Sequence, residues 1–251
     1  MELKDQAFLW ILKFMSANNK IRDVNSKKES LLLSLNKVCF CWPNGTKALD
    51  RCSLSIAKPG LWMIVGKNGS GKSTLFKLIN GMIKAESGHI FCSLKSSLMF
   101  QNPDHQLLLP TCETDLLLSL PRGLKNEQRG KYVKSSLEQV GLSGMEDRPI
   151  HTLSGGQKQR LSLAGALASG ANLLLLDEPT ALLDPLSQRS VLEIVRRLCS
   201  RSQNPITALW ITHRLDELKY CDGATTMESG RVRDWFSGDD LFYRLKQLAG
   251  R

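Results

Sequence analysis

The sequence predicts an α/β fold built on a mainly parallel sheet. Three short apolar runs, within 61–65, 172–179 and 206–212, have the length and composition of strands that are buried on both faces. Segments with helical spacing of apolar residues alternate with them, at 75–83, 161–169 and 186–201. This alternation indicates parallel pairing, because two parallel strands are joined by a crossover that is usually a helix.

Composition limits the class of protein. The chain has 251 residues, 42% of them hydrophobic and 23% charged, which is ordinary for a globular protein, and it has no run of 18 apolar residues. We therefore exclude an integral membrane protein. The net charge of +10 favours anionic partners without choosing among nucleotides, nucleic acid and lipid head groups. Seven scattered cysteines, an odd number, argue against a disulfide framework and for a reducing compartment.

Residues 1–30 are expected to lie outside the folded domain. Positions 7–15 are apolar except for Lys13, and 16–30 are polar and resemble a linker. A short amphipathic helix, a membrane-grazing helix and an organelle targeting segment all remain open for this extension.

The first strands of the domain are predicted from alternation. Residues 31–42 alternate apolar and polar and end at a Pro-Asn-Gly turn at 43–45, and 52–57 alternate in the same way. Further along, 125–145 show helical spacing, and 224–232 resemble a hairpin around Ser229 and Gly230. These patterns predict two alternating strands before the parallel core and a terminal hairpin after it.

A phosphate-binding loop follows the strand at 61–65. The sequence GKNGSGKS matches the G-x-x-x-x-G-K-[ST] pattern between a strand and a helix, which is the context that the motif requires. Its glycines let backbone N–H groups approach phosphate oxygens, Lys72 can bridge the β- and γ-phosphates, and the Ser73 hydroxyl can ligate Mg²⁺. The predicted nucleotide contacts are Gly66, Lys67, Asn68, Gly69, Ser70, Gly71, Lys72, Ser73 and Thr74.

Two acidic residues end the second apolar strand. We expect this strand to lie beside the strand of the phosphate-binding loop, so that Asp177 can hold Mg²⁺. Glu178 points elsewhere, because neighbouring side chains diverge, and can polarise the attacking water. The pair therefore predicts nucleotide hydrolysis.

A second glycine-rich helix start lies at Leu153-Ser154-Gly155-Gly156-Gln157. It offers another anion-binding surface at a helix N-terminus. One nucleotide does not need two such surfaces from one chain, whereas two nucleotides shared across a symmetric head-to-tail dimer do.

The segment LSGGQKQR, at 153–160, resembles the signature of the ABC ATPase family, and the resemblance extends over about 31–235. It implies a P-loop NTPase core, an antiparallel β subdomain and an inserted α-helical subdomain at about 102–160. Residues 236–251 are then a C-terminal helix or tail. The resemblance also implies ATP and Mg²⁺ as cofactors and ATP hydrolysis as the activity.

Further residues take roles through this resemblance. Gln101 corresponds to a glutamine that senses Mg²⁺ and water, Asp184 to an aspartate that acts across the dimer, and His213 to a histidine that contacts the γ-phosphate. Trp42 corresponds to an aromatic residue that stacks on adenine. Leu182 departs from the small residue usual at its position, and Pro59-Gly60-Leu61 departs from the more usual Gly-Glu, but neither change removes a catalytic group.

The segment FQNPDHQ, at 100–106, resembles the ATPases of energy-coupling-factor importers, including cobalt-type ones, and 208–232 resembles plant plastid-type non-intrinsic ABC proteins. This implies import of a vitamin or metal ion, with a second ABC ATPase subunit, a membrane coupling protein and in some systems a substrate-binding membrane subunit. The chain would then be peripheral on a membrane, on the plastid stromal or the bacterial cytoplasmic side, with no nucleic acid partner.

Two other readings of the function stay open, a soluble non-transport ABC ATPase and the ATPase of an exporter or lipid-handling complex. The leucines at 107–109 are expected to contact a membrane partner or to fill the core of the helical subdomain.

Overall fold

A six-stranded sheet forms the centre of the computed structural model, which describes residues 31–249. The strand order is β5-β6-β7-β3-β8-β9, and every pair is parallel except β8 with β9. The expectations for residues 1–30 lie outside the described residues. The strands are β1 (Leu33–Cys41), β2 (Lys47–Ile56), β3 (Leu61–Val65), β4 (Ser87–Cys92), β5 (Ser96–Met99), β6 (Leu173–Asp177), β7 (Thr207–Thr212), β8 (Gly223–Glu228) and β9 (Arg231–Val232).

Six α-helices surround this sheet in the described part of the chain, together with three short 3₁₀ helices. The α-helices are α1 (Lys72–Ile79), α2 (Cys112–Ser119), α3 (Asn126–Gln139), α4 (Gly155–Ala168), α5 (Pro185–Cys199) and α6 (Gly238–Ala249). The 3₁₀ helices span Pro103–His105, Ile150–Thr152 and Leu215–Tyr220. Among residues 31–249, no helix combines the length and apolar character needed to cross a membrane.

The central sheet is covered on both faces, which explains its continuous apolar strands. Leu61 and Met63 of β3 pack into one core with α2, α3, α4 and α5, whereas Ile64 packs into a second core with α1 and the antiparallel strands. In the same way, Leu174 of β6 packs into the first core and Leu175 packs into the second.

The order of the central strands corrects one expectation. The strand that ends in Asp177 does not lie beside the strand of the phosphate-binding loop, because β7 lies between β6 and β3 and pairs with both. All six residues of β7 are buried, as suits a strand with neighbours on both edges. As a result, the chain after Asp177 and the chain after Thr212 leave the sheet from adjacent strands.

A separate antiparallel sheet has the order β2-β1-β4. The alternation in 31–42 and 52–57 is confirmed by β1 and β2, whose apolar side chains enter the second core. Strand β4 was not predicted, because its residues are largely exposed and show no apolar run. The hairpin expected at 224–232 is present as β8 and β9.

In the helical segment between β5 and β6, the core expectation holds for Leu107, and contact of the leucines at 107–109 with a membrane partner stays a prediction. Leu107 packs against the first core, whereas Leu108 is 74% exposed. Helix α6 packs on the 3₁₀ helix Leu215–Tyr220 through Leu241, which is 3% exposed. The domain boundaries given from the sequence stay a prediction.

Candidate functional site

The phosphate-binding loop connects β3 to α1 at the carboxyl edge of the parallel sheet. Gly69 and Gly71 have φ values of +78° and +104°, which glycine adopts without strain. A Cβ at Gly66 would lie 2.3 Å from the Met227 carbonyl oxygen, and one at Gly71 would lie 2.3 Å from the Ala48 carbonyl oxygen. The loop is therefore held close to β2 and β8, and only glycine fits at these two positions.

Lys72 is the first residue of α1 and lies under this loop. Its side chain is 6% exposed, and its Nζ donates to the carbonyl oxygens of Gly66 at 2.6 Å and Lys67 at 3.0 Å. Burial lowers the pKa of the Lys72 ammonium, and the carboxylates of Glu178 and Asp177 oppose that shift. A cation held inside a loop of backbone amides suits the charge of a polyphosphate.

Asp177 lies at the end of β6 and faces the start of α1. Burial raises the pKa of its carboxyl group, whereas a hydrogen bond from the Ser73 hydroxyl lowers it. The Asp177 carboxylate and the Ser73 hydroxyl are thus brought together from two elements, as the sequence predicts. Both are oxygen donors of the kind that Mg²⁺ prefers.

Glu178 and His213 form the closest polar contact of the site. They follow the adjacent strands β6 and β7, and Glu178 Oε1 lies 2.5 Å from His213 Nε2. Glu178 has a φ of +50°, in the left-handed region that costs on the order of 1 kcal/mol for a residue with a Cβ. Its side chain is 22% exposed and that of His213 is 39% exposed, so both remain accessible to a ligand.

Two clefts flank the phosphate-binding loop. One, of about 470 Å³, is lined by the loop together with Trp42, Gln101, Asp177 and Glu178. The other, of about 750 Å³, is lined by residues 66–70 of the loop together with His213, Leu215 and Leu245. Both volumes fall in the range of small-molecule sites.

Trp42 lines the smaller cleft. Its ring meets Phe40 edge to face with centroids 5.1 Å apart, and Lys77 Nζ lies 5.4 Å from the ring centroid. Thr46 lines the same cleft and was missed in the sequence. The turn at 43–45 could have indicated it, because this turn reverses the chain and brings Thr46 beside Trp42. The Trp42 amide donates to the Thr46 carbonyl at 2.9 Å.

Gln101 lies in the segment that leaves β5 and is exposed within the cleft. Gln106 stabilises this segment, because its Oε1 accepts from the Phe100 amide at 3.1 Å and its Nε2 donates to the Leu98 carbonyl at 2.9 Å. Asp104 forms an ion pair with Lys158 of α4 at 2.7 Å. The loop of Gln101 is thereby linked to the second glycine-rich helix.

The second glycine-rich helix start is well formed but lies apart from both clefts. Ser154 caps α4, accepting from the Gln157 amide at 3.2 Å while Gln157 Oε1 accepts from the Ser154 amide at 2.9 Å. Ser154 and Gly155 are exposed, and Gly156 is buried against Ser187. None of the residues Ser154, Gly155, Gly156 and Gln157 lines either cleft described above.

Asp184 is also separate from the clefts and caps α5. Its carboxylate accepts from the amides of Leu186 at 3.1 Å and Ser187 at 3.0 Å. Hydrogen bonds from Ser187 lower the pKa of the Asp184 carboxyl. This residue therefore has a structural explanation in the single chain, and its predicted role across a dimer stays a prediction.

Comparison with known proteins supports the nucleotide-binding interpretation. The sequence profile described as "ABC transporter" matches residues 49–181. ABC transporter I family member 10 of Arabidopsis thaliana is 48% identical over 186 residues, 73% of this chain and 69% of that protein. The energy-coupling factor transporter ATP-binding protein EcfA1 of Streptococcus pyogenes is 34% identical over 236 residues, 87% of this chain and 84% of that protein.

A solved structure agrees with this fold. CbiO1 of Clostridium perfringens, described as part of the ABC transporter complex CbiONQ, superposes with a TM-score of 0.78 at 29% identity, covering 88% of this chain and 94% of that one. The resemblance and the fold inferred from the sequence are thus confirmed. The chain belongs to the ABC transporter family as one of its ATP-binding, ATP-hydrolysing subunits, related to the energy-coupling-factor and CbiO-type ATPases.

Proposed function

We propose that this chain couples ATP hydrolysis at a head-to-tail dimer interface to import of a small solute of the vitamin or metal ion class. The observation that carries the hydrolytic part is the contact between Glu178 Oε1 and His213 Nε2, at 2.5 Å, beside the cradle that contains Lys72. The energy-coupling-factor part rests on the similarity to EcfA1 and CbiO1.

ATP is proposed to occupy the cleft of about 470 Å³, with adenine on Trp42 and the phosphates in the loop 66–74. Trp42 is half-buried and lines this cleft, and an indole ring offers a flat apolar face to a base. Lys72 already bridges two carbonyl oxygens of the loop, and its ammonium is proposed to turn to the β- and γ-phosphates when they are bound.

The Mg²⁺ that accompanies ATP is assigned to Ser73, Asp177 and Gln101. Hydroxyl, carboxylate and amide oxygens from these three residues meet in one cleft, and they are the hard donors that the ion takes. The ion would neutralise charge on the β- and γ-phosphates.

Glu178 is proposed to act as the general base that polarises the attacking water. His213 contacts the Glu178 carboxylate and is proposed to contact the γ-phosphate when ATP is bound, which leaves Glu178 to the water. The start of α4, with Ser154 and Gly155 exposed, is proposed to close the site of a second ABC ATPase subunit, either a copy of this chain or a related one.

The transport role requires membrane partners, because the solute would be bound by another subunit. We propose a peripheral position on a membrane coupling protein, contacted by the segment of Gln101 and the exposed Leu108. A substrate-binding membrane subunit completes the assembly in this proposal.

Affinity purification of the tagged chain from detergent-solubilised native membranes tests the transport role. Co-purification of a polytopic membrane protein and an ABC ATPase subunit is expected. A Leu108→Glu variant should lose the membrane protein but keep the ATPase partner. Recovery only from the soluble fraction, with ribosomes or nucleic acid, would retain the ATPase and discard the import proposal.

A further inference from the structure

A buried carboxylate lies behind the Glu178–His213 pair. Glu217, in the 3₁₀ helix Leu215–Tyr220, is 3% exposed. Its Oε1 accepts a hydrogen bond from the Thr180 hydroxyl at 2.7 Å, and its Oε2 accepts one from Trp210 Nε1 at 3.0 Å. Burying a carboxylate is costly unless its oxygens are paired, and here each oxygen has a donor.

The ion pair between Glu217 and Arg214 is longer than the two hydrogen bonds from Thr180 and Trp210. Arg214 Nε lies 3.8 Å from Glu217 Oε1, and the Arg214 side chain is 42% exposed and also reaches Asp216 at 3.3 Å. The two shorter contacts, from neutral donors, therefore fix the position of the carboxylate. Trp210 is itself fully buried, so its indole N–H cannot donate to water and depends on the Glu217 carboxylate as its acceptor.

These two donors belong to the segments that carry the proposed catalytic pair. Thr180 lies two residues after Glu178, in the turn where Glu178 has its positive φ, and Trp210 lies three residues before His213 on β7. The Glu217 carboxylate thus joins the turn after β6 to β7, the strand that His213 directly follows. Backbone conformations of this kind persist where the surrounding structure holds them.

The same network continues towards α5. Gln188 Nε2 donates to the Thr180 carbonyl at 3.2 Å and to the Leu183 carbonyl at 2.7 Å. The turn that carries Glu178 is therefore held by Glu217 on one side and by Gln188 on the other.

We propose that Glu217 is a positioning residue for ATP hydrolysis, which keeps the Glu178 turn and the end of β7 in the register that brings Glu178 Oε1 to His213 Nε2. It acts through Thr180 and Trp210 and touches neither of the two catalytic side chains. The proposal rests on the proposed function, in which Glu178 and His213 carry out hydrolysis.

The test compares steady-state ATPase kinetics of Glu217→Gln, Thr180→Val and Trp210→Phe with the wild type. Glu217→Gln removes the charge and one acceptor oxygen, and Thr180→Val removes one donor, both at nearly constant volume. Trp210→Phe removes the other donor but also leaves a smaller ring in the core, so its rate is compared only after correction for the folded fraction. In each variant kcat should fall about tenfold while KM for ATP stays within about twofold. Glu193→Gln is the matched control, because Glu193 is an exposed carboxylate paired with Arg189 on α5. It should leave both constants unchanged.

Non-additivity separates positioning from general stability. Thr180→Val combined with Trp210→Phe should reduce kcat far less than the product of the two single effects, because both act through one carboxylate. Rates are normalised to the folded fraction measured by chemical denaturation. An unchanged kcat in Thr180→Val and Trp210→Phe, or a loss that disappears on this normalisation, would overturn the proposal.

Glu178→Gln, assayed in parallel, keeps the two proposals distinguishable. Loss of turnover in Glu178→Gln with wild-type turnover in the Glu217 series would reject the positioning role alone. Wild-type turnover in Glu178→Gln would reject the catalytic assignment on which it rests.

Discussion

At the scale of single residues, the chemistry of the site depends on where one carboxylate points. Glu178 directly follows Asp177, yet Asp177 faces Ser73 and the start of α1, whereas Glu178 faces His213. The left-handed backbone at Glu178 helps to turn its side chain away from its neighbour. In the proposed function the two adjacent acids therefore have separate roles, Asp177 at the Mg²⁺ ion and Glu178 at the attacking water.

Replacement of Glu178 by glutamine tests this division. Glu178→Gln keeps the shape of the side chain but removes its basicity, so turnover should fall by about 10²–10⁴-fold, the usual contribution of a general base. Affinity for ATP, measured by equilibrium binding, should stay within a few-fold of the wild type, and the ATP-bound protein should accumulate as a dimer on size-exclusion chromatography. Steady-state hydrolysis at the wild-type rate would exclude Glu178 as the base.

At the scale of elements, the start of α4 is held against α5 by a glycine. A Cβ at Gly156 would lie 2.4 Å from Ser187 Oγ and 2.7 Å from Ser187 Cβ, so rotation of the serine hydroxyl alone could not make room for it. The two helix starts, which carry Ser154 and Asp184 as caps, would have to separate.

Gly156→Ala should therefore displace the exposed surface formed by Ser154 and Gly155. We expect steady-state hydrolysis to fall at least about tenfold, because the proposed contact to the nucleotide of the second subunit needs this surface in place. Binding of ATP to the isolated chain should be unchanged. Gly130→Ala on α3 is the matched control, since a Cβ there meets no atom within 4 Å. If Gly156→Ala weakens ATP binding as strongly as Lys72→Ala does, the role across the dimer is wrong.

The hairpin β8–β9 is attached to the antiparallel sheet by an ion-pair cluster. Asp50 of β2 accepts from Lys47 Nζ at 2.6 Å and from Arg231 Nε at 3.0 Å. These two hydrogen bonds hold the pKa of the Asp50 carboxyl down to about 2, from an ordinary value of 3.8. The hairpin in turn contacts the phosphate-binding loop, because the Gly230 amide donates to the Ser70 carbonyl at 3.0 Å.

The lowered pKa of Asp50 makes a pH-dependent contribution to stability. The folded-state pKa lies below the unfolded value, so the contribution is complete above about pH 5 and is lost progressively as the pH falls through about 2. The free energies of unfolding of the wild type and Asp50→Asn, measured by chemical denaturation, should differ at pH 6, and most of the difference should be lost by pH 2. Asp216→Asn, which changes an exposed carboxylate, should follow the wild type throughout. Curves that stay parallel down to pH 2 would contradict the assignment.

At the scale of the whole molecule, the sequence predicted what depends on local patterns and missed what depends on the order of strands. Strands β3, β6 and β7 were recognised from apolar runs, and the phosphate-binding loop and the start of α4 from their glycines. The position of β7 between β6 and β3 was not predicted, because apolar runs of similar length and composition do not specify which strands pair in the sheet. The Glu178–His213 contact depends on that strand order. From the sequence, only the family resemblance indicated that these two residues belong to one site. The exposed strand β4 left no signal in the sequence.

The arrangement of the whole molecule makes a final prediction about shared sites. Lys72 and Ser154 lie in separate parts of one chain, and Ser154 lines neither cleft beside the phosphate-binding loop. In a two-fold dimer of this chain, each site would take Lys72 from one copy and Ser154 from the other. Lys72→Ala and Ser154→Arg should each abolish hydrolysis alone.

Mixing the two inactive variants at equal concentration should restore activity. Half of the dimers then contain one copy of each variant, and one of the two sites in such a dimer has an intact Lys72 and an intact Ser154, so about a quarter of the wild-type rate is expected from statistical assortment. Restoration should require exchange of subunits and therefore appear only after the separately purified proteins are mixed. If the mixture stays inactive while a mixture of wild type and Lys72→Ala forms mixed dimers, both residues act in cis and the head-to-tail arrangement is rejected. A site completed by the partner has a physical consequence for coupling, because hydrolysis can then occur only when two chains are closed together.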